Sequence, residues 1–134
     1  MNPTTFPPQL DLNCGPVTAI DLALFAAASG DHNPLHLDVE VARAAGFDRP
    51  VVHGMLTMAY AARLFTRHFG AGSVRALQTR FTGVAKLGDT VTLSATLVTV
   101  EKGLGHYELR ARTATGTELV AGSARVAPVA EVAA

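Results

Sequence analysis

Tryptophan is absent, cysteine occurs once, and charged residues make up only 16% of the 134 positions. These shortages exclude several kinds of protein. A lone Cys14 cannot close an internal disulfide, and the N-terminus lacks the charged-then-apolar pattern of a secretory signal, so a reducing cytoplasm is the expected compartment. Cys14 precedes Gly15 and Pro16 with no basic neighbour in sequence, the setting of a packing thiol rather than a nucleophile. Neither sign of charge is in excess. Eleven Lys and Arg balance eleven Asp and Glu, leaving no cationic field to hold a nucleic acid or an anionic membrane surface. Apolar runs also fall well short of the roughly 20 residues of a membrane-spanning helix. With 49% hydrophobic residues and few charges to cover the outside, some surface is expected to be buried against another subunit. The length suits a single domain over 1–134, since one core usually organises about 100–200 residues.

Prolines at 3, 7, 8 and 16 break the first segment, leaving room for a short extended piece from Gln9 to Asn13 behind a loose tail at 1–8. Thr18 with Asp21 three residues on reads as a capping-box start, and Ile20, Leu22, Leu24, Phe25 and Ala28 supply an apolar helix face up to Gly30. A loop holding Pro34 leads to a short helix from about Val39 to Ala45, stopped at Gly46. Gly54 then opens a long apolar helix, Met55 to Phe69, expected to be buried over most of its length. After Gly72 the period changes to two. Val74 to Val84, Thr90 to Glu101, Gly105 to Ala114 and Glu118 to Val126 read as strands. Short turns at Leu87-Gly88-Asp89, Lys102 to Gly105 and Thr115-Gly116-Thr117 predict an antiparallel meander, with a loose tail at 128–134. The class is α+β, with one sheet face available to wrap the long helix.

Two short loops hold a large share of the reactive side chains: Ser29-Gly30-Asp31-His32-Asn33-Pro34-Leu35-His36 and Val51-Val52-His53-Gly54-Met55. Asp31 and His36 lie five positions apart across a prolyl turn, which can bring a carboxylate and an imidazole onto one water. An amide at Gly54 has no partner within its helix and can donate to an oxygen that gains negative charge.

Phe25 through Ala42, centred on Ser29-Gly30-Asp31-x-Asn33-Pro34-Leu35-His36, resembles the signature of the MaoC-like (R)-specific enoyl-thioester hydratases. His53-Gly54-Met55-Leu56 is similar to the start of that family's central helix. The resemblance implies a hotdog fold, an antiparallel sheet wrapped around a long helix. It also implies addition of water to trans-2-enoyl thioesters, or the reverse dehydration of 3-hydroxyacyl thioesters, in fatty acid or polyketide metabolism. Asp31 and His36 take the family's catalytic positions, and Gly54 the oxyanion position. No cofactor is expected, because the substrate travels as a thioester on coenzyme A or on the phosphopantetheine of an acyl carrier protein. Relatives pair their subunits, so a homodimer or a heterodimer with another hotdog chain is expected. Two positions depart from the family pattern. Ala61 and Ala62 stand where some relatives place a serine, and Ala28 where a larger aliphatic residue or a glycine is commoner.

Each residue also has a plainer reading. Singly, Asp31 could cap a turn and His36 could be a hydrogen-bonded core histidine. Asn33 and Ser29, near the substrate, suit loop support, and His53 suits a cap or brace of the loop ahead of the helix, in preference to a donor to the thioester. Met55 and Met58, at helical spacing, suit core or acyl-pocket lining. His68 and His106 suit the surface. His32, His36 and Asp31 imitate a helical zinc motif, but Pro34 interrupts the helix that would align them, and no metal is expected. A thioesterase of the same fold would need a carboxylate on the central helix, where Met55 to Phe69 has neither Asp nor Glu. A noncatalytic subunit would have no use for both Asp31 and His36, which favours the active partner if the protein is a heterodimer.

Overall fold

A computed structural model describes residues 6–129. The elements are β1 (Gln9–Cys14), α1 (Ala19–Ser29), a 3-10 turn (Pro34–His36), α2 (Val39–Ala44), α3 (Gly54–Phe69), β2 (Val74–Phe81), β3 (Val91–Glu101), β4 (Leu104–Thr113) and β5 (Glu118–Val126). The five strands form one antiparallel sheet in the order β1-β3-β4-β5-β2. Period-two alternation sends Val91, Leu93 and Ala95 of β3 and Tyr107, Leu109 and Ala111 of β4 to one face. That face wraps α3, which buries Leu56, Tyr60, Ala61, Leu64, Phe65 and Phe69 against it. The Phe65 and Tyr107 rings meet at 5.5 Å, near the middle of this apolar cluster. This is the hotdog arrangement that the resemblance implies.

Four expectations need correction. The connection through Leu87-Gly88-Asp89 does not join neighbours: β2 lies at the far edge of the sheet beside β5, and β3 lies between β1 and β4. Both the Thr82 and Gly83 amides donate to the Leu119 carbonyl, and this keeps the chain leaving β2 on β5. The long helix is buried on one face only, with Met55, Ala59, Arg63, Arg67 and His68 exposed. On α1 the buried residues are Leu22 and Ala26, whereas Ile20 and Leu24 point outward. Nor are the inner parts of the tails loose. Phe6 is buried, the Tyr107 hydroxyl donates to the Pro7 carbonyl at 2.7 Å, and the Val129 amide donates to the Phe69 carbonyl. Residues 1–5 and 130–134, the remainder of the expected tails, lie outside the described residues.

Helix boundaries follow their signals. The Thr18 hydroxyl accepts from the Asp21 amide at 3.1 Å while the Asp21 carboxylate accepts from the Thr18 amide at 2.8 Å, the reciprocal capping box. Gly30 closes α1 at φ 78°, a left-handed conformation that glycine adopts without a Cβ clash. The chain is thereby turned out of the helix one residue before Asp31.

Candidate active site

Three side-chain oxygens shape the loop after α1. Ser29 Oγ accepts from the Asp31 amide at 3.2 Å, Asp31 Oδ1 from the Asn33 amide at 3.3 Å, and Asn33 Oδ1 from the Leu35 amide at 3.0 Å. Each bond spans two residues, the local pattern by which short polar side chains replace helix or sheet pairing. Ser29 and Asn33 therefore support the loop. With Oδ1 occupied, Asp31 presents Oδ2 to His36, whose Nε2 is 3.6 Å away. That gap exceeds a hydrogen bond but lets one small molecule reach both groups. Half of the Asp31 side chain is exposed, and 12% of that of His36, so solvent has access from the carboxylate side.

His36 is held from behind. Its Nδ1–H donates to the Val51 carbonyl at 2.8 Å, which leaves Nε2 as the nitrogen with a lone pair. The two loops are zipped by the Val51 amide on the Leu35 carbonyl, and the Val52 amide on the Ala85 carbonyl anchors the second loop to the segment after β2. Nearby, Arg49 pairs with Asp89 at 2.9 Å and Lys86 with Asp48 at 2.8 Å, fastening the same two stretches at the surface.

His53 follows directly and is 1% exposed. Its Nε2–H donates to the Asp31 carbonyl at 3.2 Å, and its ring stacks on His36 with centroids 3.8 Å apart at 21°. Phe25 closes the other side, edge-on at 4.9 Å. Burial pushes the imidazole below its ordinary pKa; the bond to the Asp31 carbonyl opposes this, and His36 adds to it. The sequence suggested a brace, but neither the stacked pair nor Phe25 was foreseen. His53 is also the N-cap of α3 without capping by its side chain, so the first amides of the helix, beginning at Gly54, keep donors that the helix cannot satisfy. The ring of Phe81 lies 3.4 Å from where a Gly54 side chain would begin, another neighbour that sequence spacing does not reveal.

Asp31, His36 and His53 offer ligating atoms within 4.8 Å of one another, a different trio from the one containing His32, which is exposed. The two imidazoles are poorly disposed toward a metal. Nearly parallel stacked rings send their in-plane lone pairs alongside each other rather than to one point, and one nitrogen of each ring is engaged by a carbonyl. Met58 is half-buried and Met55 is 58% exposed, so the start of α3 presents an apolar side chain outward beside Gly54. A cleft of about 560 Å³ lies between β1 and α3, and neither Asp31 nor His36 is among its walls.

Comparison with known proteins bears on the family and the fold. The 3-hydroxyacyl-thioester dehydratase Z of Mycobacterium tuberculosis is 35% identical over 121 residues, covering 86% of this chain and 79% of that protein. The peroxisomal hydratase-dehydrogenase-epimerase of Saccharomyces cerevisiae is 39% identical over 75 residues, 56% of this chain but only 8% of that protein's length. The solved (R)-hydratase from A. caviae involved in PHA biosynthesis superposes with a TM-score of 0.83 at 30% identity, covering 90% of this chain and 94% of that one. The described MaoC like domain matches residues 8–118, and the chain belongs to that family.

Proposed function

We propose that the protein is a hydro-lyase that adds water to trans-2-enoyl thioesters to give (R)-3-hydroxyacyl thioesters, and catalyses the reverse dehydration. The observation that carries this reading is the facing of Asp31 Oδ2 and His36 Nε2 at 3.6 Å, with the second nitrogen of His36 fixed on a carbonyl. A water held between them donates toward both acceptors. As its oxygen attacks C3 of the enoyl group, the pair takes a proton, the C2–C3 π electrons move toward the thioester, and negative charge collects on the carbonyl oxygen. The Gly54 amide donates to that oxygen. Return of a proton from the pair to C2 completes the addition, and the same steps backward expel water.

The substrate carries its own activating group, coenzyme A or the phosphopantetheine of an acyl carrier protein, and the reaction uses no metal or cofactor. Met55, Met58 and Phe81 are the apolar groups placed to meet the acyl chain. Because Met55 and Phe81 are exposed beside Gly54, at the end of an edge strand, a second hotdog subunit covering them would enclose the chain. That subunit is either a second copy or a related partner, and the pathways served are those of fatty acid or polyketide metabolism.

The test is loss of the enoyl absorbance on mixing with trans-2-enoyl thioesters. Asp31→Asn and His36→Ala should each lower the hydration rate by roughly 10²–10⁴-fold, the usual scale for a positioned acid–base group, with the far-UV spectrum unchanged. Wild-type rates in both variants would remove the assignment.

A further inference from the structure

His53 lies outside the steps just described, yet it touches both groups that perform them. It is among the largest fully buried side chains of the domain, and its Nδ1 has no hydrogen-bond partner among the described residues. A buried polar ring with an unpaired nitrogen is disfavoured relative to a satisfied one, so a residue that only filled space here would be better served by an apolar side chain. What the imidazole provides is a donor and a flat face at the same time. The Nε2–H reaches the backbone of Asp31, 22 residues earlier in the chain, and the ring face meets the imidazole of His36. Phe25 presses on His53 from α1, so the ring is clamped between a helix and the site.

We infer that His53 is a positioning residue: its Nε2–H on the Asp31 carbonyl and its ring against His36 together set the separation of the Asp31 carboxylate and the His36 Nε2. The inference rests on the proposed hydratase reading. Its physical content is that the bonds made by Ser29, Asp31 and Asn33 are local and shape the turn, while the ties of this loop to the second loop through Val51 fall at Leu35 and His36, four and five residues beyond Asp31. His36 has a tie of its own through Val51. His53 therefore adds, at Asp31 itself, a bond that references this end of the first loop to the N-terminus of α3, where the Gly54 amide begins, and it places the carboxylate, the imidazole and the oxyanion donor in one frame. Donation through Nε2 requires the tautomer with a bare Nδ1, which is the atom found unpaired. The lowered pKa, caused first by burial and second by His36, is consistent with a ring that stays neutral beside the pair, while the Asp31 carbonyl bond and carboxylate act in the opposite direction.

The experiment compares His53→Leu, which keeps bulk without a donor, and His53→Gln, which keeps a donor without an aromatic face, in the wild-type and His36→Ala backgrounds. In the wild-type background His53→Leu should lower kcat by roughly 10- to 100-fold with KM within about threefold, the effect of misplacing groups by a fraction of an ångström, and His53→Gln should recover part of the loss. In the His36→Ala background His53→Leu should change the residual rate by less than about twofold, because the Asp31–His36 pair whose separation it sets no longer exists. An unchanged kcat in His53→Leu, or the same fold-loss in both backgrounds, overturns the inference. If His36→Ala alone leaves hydration intact, the hydratase reading fails first; if it abolishes hydration and His53→Leu does nothing, only the positioning role fails. Nitrogen NMR of His53 in the wild-type protein gives a check independent of variant folding: a bare Nδ1 and protonated Nε2 support the inference, and the opposite tautomer overturns it.

Discussion

A prolyl turn brings together side chains that a helix or a strand would hold apart, and here Pro34 does so for Asp31 and His36 while the oxygens of Ser29, Asp31 and Asn33 lock the intervening amides. The roles of single atoms can be tested separately. Replacing Gly54 by proline removes one amide at the first helical position, where proline is well tolerated, and His53 already has the extended backbone, φ −54° and ψ 131°, that a following proline requires. Gly54→Pro should keep the fold and lose roughly 10²–10³-fold in kcat, while Gly54→Ala, which restores the donor, should lose far less. His53 gives a pH prediction. Its folded pKa lies below the ordinary value of 6.5, so the unfolded chain binds the proton first and stability falls as the pH drops below 6.5 toward the folded pKa. The urea midpoint should decline between pH 7 and pH 5 in the wild type and decline less in His53→Leu. The closeness of Asp31 to His36 and the place of Gly54 at a helix start were legible, because local spacing and a glycine before an apolar run define them. The contact of His53 with His36 was not, because it depends on the register between two loops, set by the Val51 amide on the Leu35 carbonyl, and no periodicity encodes that register.

At the scale of elements, helix and strand bounds agreed with the sequence to within a few residues, and the strand order did not. Turn residues such as Gly88 and Asp89 show that a chain reverses; they do not say which strand it will pair with. Here the reversal serves a crossing: the Val17 amide donates to the Asp89 carbonyl and the Gly88 amide to the Val17 carbonyl, fastening the connection to the start of α1 rather than to β2. That leaves β2 as an edge strand beside β5, carrying Phe81 to the mouth of the site. The pairing depends on Gly122, because a Cβ there would collide with the Gln78 carbonyl oxygen of the neighbouring strand. Gly122→Ala should therefore destabilise the domain by about 1–3 kcal/mol, measured by chemical unfolding, through strain between β2 and β5. Hydrophobic pattern was an equally incomplete guide on α1. Ile20 and Leu24 share a helical face with each other but not with Leu22 and Ala26, so two of the four large apolar residues of that helix face outward.

For the whole molecule, one apolar cluster ties α3 to all five strands, β2 through the partly buried Val74 and Leu77, and draws in Phe6 from the N-terminal segment. Tyr107 links these parts: its ring meets Phe65 and Phe69, and its hydroxyl donates to the Pro7 carbonyl. Burial pushes this phenol up to about 12 from an ordinary 10. Because the folded value is the higher one, the stability it contributes is complete below pH 10 and is lost as the pH rises toward 12. Two units correspond to at most roughly 3 kcal/mol. Tyr107→Phe should flatten this alkaline loss, followed by near-UV absorbance and unfolding midpoint together. Hydration is distinguished from thioester hydrolysis by following a trans-2-enoyl thioester with two readouts at once, double-bond absorbance and release of free thiol. Rapid loss of the double bond, no thiol release, and a 3-hydroxyacyl thioester of R configuration on chiral analysis are the expected outcome. Thiol release with the double bond retained would contradict the hydratase reading.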